Sequence, residues 1–171
     1  AIAGIGIGAA GMSAYDSMTG GGDQSSTFNW GTGPENVNMK AAAEAVKDIE
    51  SKSSGGYKAQ NPSSSASGAY QFIDSTWQSA SAAAGIGTEY KRAVDAPPEI
   101  QDAVFNDYFQ KLVKKEGLKG AVLTHFLGPG HKMSADAQAH NITPDSYLNK
   151  FQKGYSQHSA GETATPSPQG S

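Results

Sequence analysis

The sequence predicts a mainly α domain carrying one small β-hairpin, and three observations point there. Apolar side chains recur at three- and four-residue spacing through the middle of the chain. Capping and stop residues frame those stretches. A single Ser/Gly/aromatic stretch breaks the pattern and reads as two short extended pieces around a polar turn.

Taken in order, Pro34 and Glu35 suit a first helical turn, and NVNMKAAAEAVKDIES carries a helical pattern behind them. KAQNPSSSASGAYQFI is the hairpin. STWQSASAAAG fits a second helix, with Ser75 and Gln78 spaced as a capping box and Gly85 as its stop. PPEIQDAVFNDYFQKLVKKEG is the strongest helix: Ile100, Val104, Tyr108 and Leu112 recur every fourth residue beside Phe105 and Phe109, and Gly117 ends it. LKGAVLTHFLG is a shorter apolar helix closed by Gly128-Pro129-Gly130. TPDSYLNKFQKG opens with Thr143 as cap and Pro144 at the first helical position.

At 171 residues and 37% apolar content, the chain allows one compact domain with polar ends. Residues 1–33 read as a glycine-rich arm or linker, 34–155 as the domain and 156–171 as a disordered polar tail. A net charge of −3 offers no electrostatic footprint for nucleic acid. The absence of cysteine excludes disulfide and thiolate chemistry. The chain starts at Ala1, which reads as a processed chain or a piece of a longer one, and no signal peptide is seen. AIAGIGIGAAGM falls short of the roughly 20 residues that span a membrane. Its Gly4-x-x-x-Gly8 spacing suits a flexible linker, or the stub of a glycine-packed helix that would bring the arm to a membrane.

One acid is out of place. At about 100° per residue, Met39, Ala43 and Val46 share a stripe and Glu50 lands in its centre, whereas Glu44 and Asp48 face the other way. A carboxyl in line with an apolar stripe must be paired, neutralised or functional, because an unpaired buried charge is costly. Desolvation raises its pKa, as a general acid working near neutrality requires. The alternative is a frayed last turn that swings Glu50 into water. Gln71, between Tyr70 and Phe72, would face away from both in a strand; its amide suits sugar hydroxyls and acetamido groups, or else braces the hairpin from inside.

Glu50-Ser51, then Gly55, Gly56 and Tyr57, then Ser67-Gly68-Ala69-Tyr70-Gln71-Phe72, then Thr124-His125-Phe126-Leu127-Gly128-Pro129-Gly130 resemble, in order and spacing, the motifs of the soluble lytic transglycosylase family. The resemblance covers about residues 36–150. It implies an α+β, goose-type lysozyme-like fold and a peptidoglycan lytic transglycosylase with no cofactor and no metal. Glu50 would be its catalytic acid, in a groove lined by Ser51, Ser67, Gln71, Tyr57, Tyr70, His125 and Phe126. Where the family has a tyrosine that bonds the acid, this chain has His125, expected to take over that bond and to titrate near neutral pH. His-Phe-Leu-Gly-Pro-Gly is similar to variants in bacteriophage virion proteins that open the wall during genome delivery. That implies peptidoglycan strands and other virion proteins as partners, and action at the cell wall or periplasm. Two alternatives stay open: a hydrolase of the same fold, with Asp74 as second acid rather than helix cap, and a wall-binding virion module without catalysis.

Other signals carry less. GIGAAG lacks the flanking strand and helix of a dinucleotide site. His125, His131 and His140 lack metal-ligand spacing, and no Gly-x-Ser-x-Gly is present.

Overall fold

A computed structural model describes residues 28–31, 33–128 and 142–163. A 3-10 turn, Pro34–Asn36, leads into α1, Met39–Glu50. A second 3-10 turn, Gly56–Lys58, and an irregular loop precede α2, Asp74–Ala84. A third, Ala93–Asp95, precedes the long α3, Pro98–Leu127, and α4 is Pro144–Thr163. The expected arm residues 1–27, with the Gly4–Gly8 and Gly6–Gly11 strings, lie outside the described residues, as do Pro129, Gly130, His131, His140 and 164–171.

Asn38 starts α1 by accepting a hydrogen bond from the Ala41 amide at 3.0 Å. Its buried flank is Ala41, Ala42, Ala45, Val46, Ile49 and Glu50, so the stripe lies slightly around the helix from the one drawn through Met39 and Ala43. The small side chains let α4 come close: a Cβ on Gly154 would lie 3.0 Å from Ala45 Cβ and 3.1 Å from its Cα. Helix α4 is capped as its sequence predicts, with Thr143 Oγ1 accepting from the Ser146 amide at 3.0 Å and Pro144 in the first position.

Packing contacts are found beyond both expected domain bounds. Trp30, expected in the arm, stacks on Phe151 at 6.0 Å between centroids, and Phe28 meets Tyr155 edge-on at 5.8 Å. Helix α4 continues past residue 156 to Thr163, and His158 lies 2.8 Å from Asp48 of α1.

Helix α3 holds the two helices expected around Gly117, which breaks the ladder at φ 80°, ψ 171°. Before the break Val104, Phe105, Phe109 and Val113 fill the core; after it Leu118, Ala121, Val122 and Phe126 do so. The capping box expected at Ser75 and Gln78 does not form. Helix α2 starts one residue earlier, and Asp74 sits inside its first turn rather than capping it. The Asp74 carboxylate instead accepts from Arg92 Nε at 3.2 Å, and its amide donates to Ser65 Oγ at 3.0 Å. Gly85 stops the helix at φ 69°.

The hairpin also needs correcting. Among the described residues there is no strand, only isolated antiparallel bridges Gln60–Ser67 and Ser67–Phe72. Ser67 and Phe72 exchange both backbone hydrogen bonds, at 3.0 and 3.1 Å, around a four-residue loop, Gly68–Gln71. Gly68 (φ 83°) and Gln71 (φ 52°) take left-handed conformations, so the alternation expected of a strand is lost.

A Cβ on Gly117 would meet nothing within 4 Å. Gly117→Ala is therefore expected to destabilise through backbone strain alone, by roughly 1–3 kcal/mol. Chemical denaturation should show a lower midpoint with an unchanged slope.

Candidate active site

Glu50 is the last residue of α1 and is 1% exposed. The Tyr147 hydroxyl, from α4, donates to its Oε2 at 2.7 Å, and Oε1 has no hydrogen-bond partner among the described residues. Burial pushes the carboxyl up to about 8, with the Tyr147 hydrogen bond pulling the other way. A carboxyl held that high keeps its proton at neutrality, with Oε2 as the oxygen that accepts from the tyrosine.

His125 does not take the role expected of it. Its Nε2 lies 3.9 Å from Glu50 Oε2, beyond hydrogen-bond reach, and 2.9 Å from the Tyr70 carbonyl. A carbonyl only accepts, so Nε2 carries the hydrogen and Nδ1 is the bare nitrogen. The imidazole is fully enclosed, with Phe72, Phe105 and Tyr108 edge-to-face around it at 5.4–5.8 Å. Burial holds its pKa down, to about 3. It is neutral across the range in which it was expected to titrate, and it brings no positive charge to Glu50.

Tyr147 is the residue that sequence reasoning missed. The signal available was Tyr147, Phe151 and Tyr155 at four-residue spacing on a capped helix. Nothing local tells which hydroxyl meets an acid 97 positions away. Its ring stacks on Phe126 at 4.5 Å and 14°.

The other expected groove residues turn mostly to protein partners. Ser51 Oγ donates to the Ala69 carbonyl at 2.7 Å, and Ser67 Oγ accepts from the Val94 amide at 3.1 Å. The Gln71 amide is fully buried and donates to the Gly68 carbonyl at 2.9 Å, which is the bracing role; its Oε1 has no partner among the described residues. Tyr70 and Phe126, expected to offer flat faces to sugar rings, are 1% and 0% exposed. Tyr70 stacks on Phe105 at 4.1 Å and donates to Asp102 at 2.6 Å. Tyr57 is partly exposed; it donates to Asp102 at 2.8 Å and accepts from Lys47 at 3.1 Å. The structure thus gathers Glu50, Ser51, Tyr70, Gln71 and His125 around one turn, as a wall rather than as an open lining.

A dry carboxylic acid held by one tyrosine hydroxyl at a helix end has the protonation state that general-acid chemistry near neutrality needs. Over 67 residues the chain is 40% identical to two proteins of Staphylococcus saprophyticus, "Probable transglycosylase SceD 3" and "Probable transglycosylase SceD 1". The match takes in 39% of this chain, which spans about a quarter (26%) of the length of each relative. This similarity supports a transglycosylase-like chain. No family model and no solved structure matches.

The perturbed carboxyl has a stability signature. Folded Glu50 keeps its proton to about 8, whereas the unfolded group loses it near 4.5, so between these values the folded state alone holds the proton and stability falls as pH rises. Glu50→Gln cannot ionise. Its stability relative to the parent is expected to improve by on the order of 2–5 kcal/mol from pH 4.5 to pH 8, read from unfolding curves across that range. Tyr147→Phe removes a donor to the ionised form and should move the Glu50 midpoint further up, seen by carboxyl NMR.

Proposed function

We propose that the chain is a peptidoglycan lytic transglycosylase that cleaves the MurNAc–GlcNAc bond and leaves 1,6-anhydro-MurNAc ends. The carrying observation is the buried Glu50, an acid at neutral pH. The acid gives its proton to the glycosidic oxygen as the bond from the muramic anomeric carbon breaks, which requires the bound strand to reach a carboxyl that is 1% exposed in the free chain. The resulting carboxylate, held at Oε2 by Tyr147, takes the proton of the muramic 6-hydroxyl, whose oxygen closes on that carbon. The acid is restored and no water is consumed.

A hydrolase of ordinary type works with two carboxyls facing each other across the bond. Asp74, the second acid considered for that role, is engaged by Arg92, and Asp102 by the hydroxyls of Tyr57 and Tyr70. These engagements favour the lyase. The similarity to proteins named as probable transglycosylases points the same way. The wall as site of action belongs to this proposal, and the virion as carrier rests on the sequence resemblance alone.

Digestion of purified sacculi with mass analysis of the muropeptides tests it. The parent should release products lighter by one water than the reducing-end forms, with turnover falling as pH passes about 8. Glu50→Gln should lower turnover by roughly 10²–10⁴-fold. Reducing ends would make the chain a hydrolase, and binding without turnover a wall-binding module.

A further inference from the structure

We propose that Gln101 is a positioning residue for Glu50, acting by holding the Gly68–Gln71 turn against the end of α1. The inference rests on Glu50 being the reacting acid and assigns a device that keeps it dry.

Gln101 lies in the first turns of α3 and is 1% exposed. Its amide is fully used. Oε1 accepts from the Ala69 amide at 2.8 Å, and Nε2 donates to the Ala96 carbonyl at 2.9 Å and the Tyr57 carbonyl at 3.1 Å. One planar group thereby joins the turn, the segment after Ala93–Asp95 and the 3-10 turn that follows Glu50-Ser51. The fit is close: a Cβ on Gly68 would lie 2.6 Å from Gln101 Oε1 and 3.2 Å from Ala93 Cβ. Residue 69 passes the constraint on, because its carbonyl accepts from Ser51 Oγ at 2.7 Å and Ser51 is covalently next to Glu50. On the far side His125 holds the Tyr70 carbonyl at 2.9 Å.

Glutamine suits this position chemically. Glutamate has no donor for the two carbonyls, asparagine is one methylene short, and an apolar residue leaves three backbone groups without this partner, two of them in buried bonds. Among the described residues, the titratable groups bearing on Glu50 are Tyr147 from α4 and His125 and Tyr108 from α3. The turn directs its one titratable hydroxyl, that of Tyr70, at Asp102. Its influence on Glu50 is therefore exclusion of water, not charge.

The test is a carboxyl ¹³C titration of the full chain, the Glu50 signal being assigned by its loss in Glu50→Gln. Gln101→Met and Ser51→Ala each cut one link of the path Gln101–Ala69–Ser51–Glu50. Each should lower the Glu50 midpoint from near 8 by about one unit or more, a tenfold change in ionisation constant. The double variant should fall no further than the larger single one. A cooperatively folded Gln101→Met with an unmoved midpoint would overturn the proposal. If Gln101→Met does not fold, an unmoved midpoint in Ser51→Ala does so instead. A digest without products sinks the proposed activity, while the titration still decides the role of Gln101.

Discussion

The hydrogen bond from Tyr147 to Glu50 depends on two helices lying unusually close. A carboxyl removed from water at a helix end needs a donor, and the donor comes from the last helix of the fold. Its hydroxyl reaches because α1 presents alanines where α4 presents Gly154, so the two backbones approach without intervening side chains. Phe126 fixes the tyrosine ring from the α3 side. A larger residue at Ala45 or Gly154 would push the helices apart and leave the acid without its partner, with no change at the site itself. Packing and chemistry are here one constraint.

The second feature of the site is that two titratable groups 3.9 Å apart are both neutral over a wide range. His125 resists protonation down to about 3 and Glu50 resists ionisation up to about 8. Their contributions to stability run in opposite senses. The cost of the neutral imidazole appears as pH falls below 6.5, where the unfolded ring would be charged, and that of the neutral acid as pH rises above 4.5. Between these values the two slopes oppose each other. A charged ring beside Glu50 would strip its proton; a neutral ring that spends its hydrogen on the Tyr70 carbonyl supports the turn without doing so.

Much of this architecture is legible in the sequence where one residue carries the cause. Gly117 must break a helix because only glycine takes its conformation readily, and Thr143-Pro144 starts one because the cap and the preset φ are local chemistry. The burial of Glu50 is legible because helical geometry aligns it with Val46, although alanine packing shifts the buried flank. The hairpin was not legible. Gln71 adopts a left-handed conformation that no alternation pattern displays, and one pair of reciprocal bonds replaces a ladder. The exchange of His125 for Tyr147 was hidden for another reason: which hydroxyl meets the acid is decided by the approach of α1 and α4, not by any local pattern.

Most of the residues expected to touch sugar are buried, and this bears on how such a carboxyl is housed. An acid that must stay protonated at neutrality needs walls without charge and without gaps. Polar side chains can supply such walls only when their hydrogen bonds are already spent on backbone, as those of Ser51, Gln101 and His125 are. The carboxylates that could add charge, Asp74 and Asp102, are engaged by other partners. Of Glu50 itself, Oε2 is taken by the tyrosine and Oε1 is buried without a partner among the described residues. In the proposed reaction a single carboxyl would both lose and recover the proton, which is what a single-acid ring closure asks of its catalyst and a two-carboxylate hydrolysis does not.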